Sequence, residues 1–176
     1  MIFTIVALLI AGGHSAIPAT QSPYTGEEAN LIKSLNPVEI NGLMQGKGMG
    51  FAKVAELNHY PGPRHVLDMA DQLQLSSQQI AQTNRIFDNM REHAVVLGEQ
   101  LVSYETKLDS LFASGQVAAA ELDSLLLLIG KTRAQLRGAH LHAHLEMKKV
   151  LNHHQIMMYD TLRGYSNGSH QDGHAH

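Results

Sequence analysis

The densest set of donor atoms in the chain lies at Gly138-Ala139-His140-Leu141-His142-Ala143-His144-Leu145-Glu146-Met147. His140 and His144 are four apart, so a helix puts both imidazoles on one face with Met147 close by, while His142 points elsewhere. Neutral imidazole with carboxylate suits zinc, nickel or copper, and a thioether adds a soft donor that favours copper. A second set of ligands comes from folding back: if Ala113 lies near Ala119, His140 faces His93, Glu92 or Met90, and His144 faces Asp88. His65, further upstream, approaches the same end. The candidate metal ligands are therefore His140, His144, His65, Asp88, Glu92 and Met147. The competing reading makes the histidines polar seam residues bonded to Asp88, Glu92 or backbone carbonyls, and spacing alone leaves both open.

The element that must position these residues is a long helical hairpin over roughly 76–150. Ile80, Thr83, Phe87, Met90, Ala94, Leu97, Leu101, Tyr104, Leu108 and Leu111 recur in steps of three and four, which only a helix gathers into one stripe. Ala113-Ser114-Gly115 breaks the run. A second arm returns with Leu122, Leu125, Ile129, Leu136, Ala143, Met147 and Val150. The first arm is about 58 Å long at ~1.5 Å per residue. Leu125 to Leu128 are consecutive and wrap most of a helix circumference, so one partner arm leaves apolar surface over, which marks an interface. Met90, Met147, Met157 and Met158 read as packing between the hairpin and a last helix, though methionine also suits adaptable binding surfaces.

Four segments follow. Residues 1–19 carry an apolar run of signal-peptide length with plausible cleavage after Ala16 or Ala19; the basic opening of such signals is missing. Residues 20–62 hold linkers and short helices, one starting at Asn36-Pro37, a cap followed by proline. Within them, Gln45-Gly46-Lys47-Gly48-Met49-Gly50 invites a phosphate-loop reading, but the glycine-lysine spacing is wrong and no strand precedes it, so a flexible turn is expected. Residues 63–165 form the hairpin domain, opened by a helix from Pro63. Residues 166–176 make a polar, glycine-containing tail with three histidines, expected to be disordered and able to bind metal loosely.

One motif occurs twice, as Leu75-Ser76-x-x-Gln79-Ile80 and Leu151-Asn152-x-x-Gln155-Ile156. Ser76 and Asn152 are good N-caps, Gln79 and Gln155 sit where they reach back to the cap amide, and the flanking leucines staple onto Ile80 and Ile156. A doubled Leu-Thr-x-x-Gln motif, one copy before the hairpin and one before the last helix, resembles the Spy/CpxP family of periplasmic proteins; serine and asparagine replace threonine here. The stretch from Gly46 through Pro63-Arg64-His65 is similar to members described as Spy/CpxP-like refolding chaperones. The resemblance implies an all-α, non-enzymatic protein and an antiparallel homodimer shaped as a cradle. Relatives include client-binding chaperones, an inhibitor of an envelope-stress kinase, and sensors of nickel, cobalt or zinc. Those sensors use a His-x-x-x-Met pair on the third helix, where this chain has His140-x-x-x-His144.

Composition excludes other classes. Sixteen acidic residues against thirteen basic ones, with no basic stripe, argue against nucleic acid. The absence of cysteine removes disulfides, thiolate metal sites and a lipid anchor at the cleavage point. No catalytic set is framed by the elements that nucleophiles need, and there is no nucleotide motif. The expected protein is a soluble periplasmic, ATP-independent chaperone or stress adaptor. It holds unfolded envelope proteins on a helical cradle and requires no cofactor. The alternative is a sensor or buffer of zinc, nickel or copper that signals through a membrane-bound partner.

Overall fold

The computed structural model describes residues 21–165 of the chain; the expected signal segment and histidine tail lie outside the described residues. The described residues are helical, without strands. A short 3-10 turn at Glu27–Ala29 is followed by α1 (Pro37–Met44), α2 (Lys53–Glu56), α3 (Pro63–Asp68), α4 (Ser77–Ser114), α5 (Ala119–Val150) and α6 (His153–Leu162). None of these helices is long and apolar enough to cross a membrane.

The hairpin is α4 against α5, 38 and 32 residues long. Its seam follows the heptad reading: Thr83, Met90, Ala94 and Leu101 on α4 are buried, as are Leu125, Ile129, Leu136, Ala143 and Met147 on α5. Each leucine that is fully buried here contributes roughly 1.5–3 kcal/mol. The turn is set by Gly115, which takes a left-handed φ of 68° that a β-carbon would disfavour and so closes α4.

The segment before the hairpin does not merely trail along it. Ile32, Leu35 and Leu43 complete the core formed by Met90, Ala94, Leu101, Leu125 and Ile129. α1 crosses α4 at Gly98, where an added β-carbon would come within 2.7 Å of the Leu43 carbonyl carbon, so this helix–helix approach requires glycine. Polar pins hold the same layer. The buried Glu105 carboxylate accepts from Ser34 Oγ at 2.8 Å and from Arg133 at 3.0 Å, and the Lys33 amide donates to Asp109 at 3.2 Å.

A second core sits at the open end of the hairpin, built from Val66, Leu73, Met147, Leu151 and Tyr159. The repeated motif organises it. Ser76 with Gln79 and Asn152 with Gln155 each form a capping box, as read from the sequence. The structure adds that the two glutamines bond each other: Gln79 Nε2 lies 2.8 Å from Gln155 Oε1, and Gln155 Nε2 lies 3.1 Å from Gln79 Oε1. Their amides also reach the Val150 and Leu73 carbonyls. The motif thus starts two helices and ties those starts together. Among the methionines, Met90 and Met147 are buried, whereas Met157 is exposed.

Candidate functional site

His140 and His144 share one face of α5, as their spacing requires, and that face looks toward the short helices. Together with His65 they line a cavity of about 760 Å³. Its other walls are the Gln45–Gly50 loop, α2, the start of α3 and the Phe87–Arg91 stretch of α4.

His144 is held firmly. Its Nδ1 lies 2.7 Å from the Tyr60 carbonyl oxygen, and because a carbonyl only accepts, Nδ1 carries a proton. A β-carbon at Gly62 would stand 3.1 Å from Nε2, so glycine there makes room for the ring. His140 is different. It stacks on Phe51 with centroids 5.7 Å apart, is 4% exposed, and its Nε2 has no hydrogen-bond partner. Burial, and then the neighbouring charge of His144, push its pKa down from 6.5 to about 4. His65 is also lowered, first by burial and then by Arg163.

Two acids stand near these imidazoles: Asp68, whose Oδ2 is 3.9 Å from His65 Nδ1, and Glu56, whose Oε2 is 4.0 Å from His144 Nδ1. Glu56 Oε1 accepts from Tyr159 Oη at 2.6 Å, Arg163 Nε at 3.0 Å and Tyr165 Oη at 3.1 Å. Tyr159 Oη in turn accepts from the Gly62 amide at 3.2 Å. Burial, followed by the bond to Glu56, raises the Tyr159 pKa and keeps the phenol protonated. Glu56 therefore fastens α6 and the residues after it to α2, and His59 bonded to Asp160 at 2.8 Å fastens the pair a second time.

Three of the six sequence-derived candidates, His140, His144 and His65, meet at this cavity. Asp88 and Glu92 are exposed and do not line it, and Met147 is fully exhausted by the core around Val66 and Tyr159. The reason is rotational. Met90 and Ala94 point into the hairpin, which turns Asp88 and Glu92, two residues before each, outward. The fold-back register is otherwise as expected: Met90 shares the cavity with His140, while His93 shares the groove on the opposite side of the hairpin with His142. Among the described residues, no group of three or more His, Asp or Glu side chains is arranged to hold a metal ion. The sequence reading did not single out Glu56, Tyr159, Arg163 or Tyr165. The only advance signal was a guanidinium and two phenols crowded into Tyr159–Tyr165 without a local carboxylate partner beyond Asp160.

Comparison of the chain with protein-family models, with curated proteins and with solved structures returns no match.

Proposed function

We propose that the protein is a periplasmic, ATP-independent chaperone or envelope-stress adaptor, similar to the Spy/CpxP family, that works as a homodimer and holds unfolded envelope proteins on the hairpin. The observation that carries this reading is the apolar surface left on the two long helices. Leu125 and Ile129 are buried, but Leu126, Leu127 and Leu128 between them are 47%, 75% and 43% exposed. Val96 and Phe112 on α4 and Leu145 on α5 are also exposed. Three consecutive exposed leucines on one turn of a folded helix give clients or partners an apolar place to dock. Client holding needs no bond-making step, so the reading requires neither nucleotide nor cofactor.

The test is suppression of aggregation of a denatured substrate by the exported chain, with chelator and with zinc, nickel or copper. Suppression in chelator that falls away in Leu127→Ser/Leu128→Ser, and survives removal of residues 166–176, supports holding on the hairpin. Suppression that follows the tail instead refutes it. The metal-sensor alternative is favoured by one observation, the convergence of three imidazoles at one cavity. It requires zinc to raise the melting temperature of the tail-less chain and His140→Ala/His144→Ala to abolish that rise.

A further inference from the structure

The cavity that holds the three histidines has a charge pattern that neither reading uses. Lys47, Lys53, Arg64, Arg91 and Arg163 line it, against one carboxylate, Glu56. That carboxylate is already engaged by Arg163 and two phenols. Arg64 pairs with Asp68 at 3.0 Å, but Lys47, Lys53 and Arg91 have no carboxylate within 4.0 Å among the described residues. Cations gathered around a concave, partly desolvated space raise the local potential and favour an anion over a metal cation.

Two further groups ask for the same occupant. The loop from Gly46 to Gly50 bends through left-handed positions at Gly46, Met49 and Gly50, with φ of 64°, 41° and 79°. The Gly46, Lys47 and Phe51 amides are taken by backbone carbonyls, while those of Gly48, Met49 and Gly50 have no acceptor among the described residues. Residues 48–50 are exposed, so these amides are open to solvent or to an anion that accepts from them. His140 Nε2 is the other unsatisfied group: a buried ring nitrogen without a hydrogen-bond partner, on a residue lining the space, can donate to a ligand oxygen when it carries the ring proton. The walls are not wholly polar: Phe87, Met90, Ala52 and Pro63 also face the space. About 760 Å³ exceeds an inorganic ion and falls in the range of roughly 300–1,000 Å³ typical of small-molecule sites.

We propose that this cavity is a binding site for a small organic anion, with its phosphate or carboxylate head against Lys47, Arg91 and the Gly48–Gly50 amides and its apolar body against Phe87 and Met90. The site is independent of the exposed leucines, so occupancy of one does not require the other.

Calorimetric titration of the full chain at low ionic strength tests it, with phenyl phosphate, benzoate, inorganic phosphate and benzyl alcohol as probes. The expected result is saturable binding of one phenyl phosphate or benzoate per chain, weaker binding of inorganic phosphate, and none of benzyl alcohol. The phosphate and carboxylate arms identify the head group. Lys47→Glu and Arg91→Glu change exposed side chains without ion-pair partners, and each is expected to weaken binding by about tenfold or more. Lys149→Glu, the same charge change on an exposed position of α5 away from the cavity, is expected to leave it unchanged. Helical content by circular dichroism confirms that the variants are folded. No saturable binding of either aromatic anion overturns the proposal, as does equal binding of benzyl alcohol. Equal weakening by Lys149→Glu also overturns it, because the attraction would then be diffuse.

Discussion

Replacing His140 by phenylalanine should make the protein more stable, and the gain should grow as the solution is acidified. The ring stacks on Phe51 and is almost wholly buried, so phenylalanine keeps shape and contact while removing an unpartnered Nε2. Near neutral pH the gain is about 1 kcal/mol, the cost of one unsatisfied buried polar atom. Burial and His144 hold the folded-state pKa at about 4 against 6.5 in the unfolded chain. Above 6.5 both states are neutral and the group contributes nothing to the pH dependence. As pH falls through 6.5 the unfolded chain binds a proton that the native ring refuses, so stability is lost progressively down to about pH 4. That interval is worth ~3 kcal/mol at ~1.4 kcal/mol per pH unit. Solvent screening of a ring that is not wholly desolvated reduces the loss to about 2 kcal/mol. Lys47, Lys53, Arg64, Arg91, Arg163, Glu56, His65 and His144 face the same space and are common to both proteins, so the difference between them isolates His140. Urea unfolding followed by far-ultraviolet circular dichroism, at fixed protein concentration and at several pH values between about 7.5 and 4.5, gives the comparison. The advantage of His140→Phe should widen from about 1 to about 3 kcal/mol across that range. A constant or shrinking advantage would refute the reasoning.

Glycines on the hairpin should respond in opposite directions: Gly98→Ala forces α1 off α4 and is expected to lose about 1–3 kcal/mol, whereas Gly130→Ala, with open space around the added carbon, should gain up to about 1 kcal/mol in urea unfolding. Gln155→Ala removes the links to Leu73, Gln79 and the Asn152 cap, and should cost about 2 kcal/mol; a loss no larger than that of Asn152→Ala would mean the inter-motif bond contributes nothing. Glu56→Ala leaves Tyr159 without its acceptor and Arg163 without its counter-charge. It should increase amide exchange across α6 while leaving the middle of the hairpin protected, and uniform exchange rates in variant and parent would contradict that.

Features set by neighbours in the chain are legible in the sequence. The three-four spacing from Thr83 to Leu101 places those side chains inward whatever they meet, and Ser76 and Asn152 cap their helices through amides within three residues. His140 and His144 likewise had to share a face. Which flank of the hairpin that face would meet was not written locally. It depends on where residues 45–65 lie, and they are placed by the gap at Gly98, a position that registers in sequence only as a missing seam residue. The same limit explains Asp88 and Glu92: a register estimate across the turn names the right level on the opposite arm but not the right side. Glu56 could not be found at all from spacing, because its partners lie 103 to 109 residues away.

That separation has a consequence for how the molecule comes to be. The hairpin can zip from its Gly115 turn as soon as both arms exist, through contacts that lengthen gradually along the chain. The cavity wall anchored by Glu56 cannot close in the same way, since Tyr159, Arg163 and Tyr165 are among the last described residues to be synthesised. A chain made from its N-terminus therefore carries Glu56 unpartnered while about a hundred further residues are made, and completes the site only when loops of that length close. Biogenesis runs from scaffold to pocket, with the docking of α6 as the closing event.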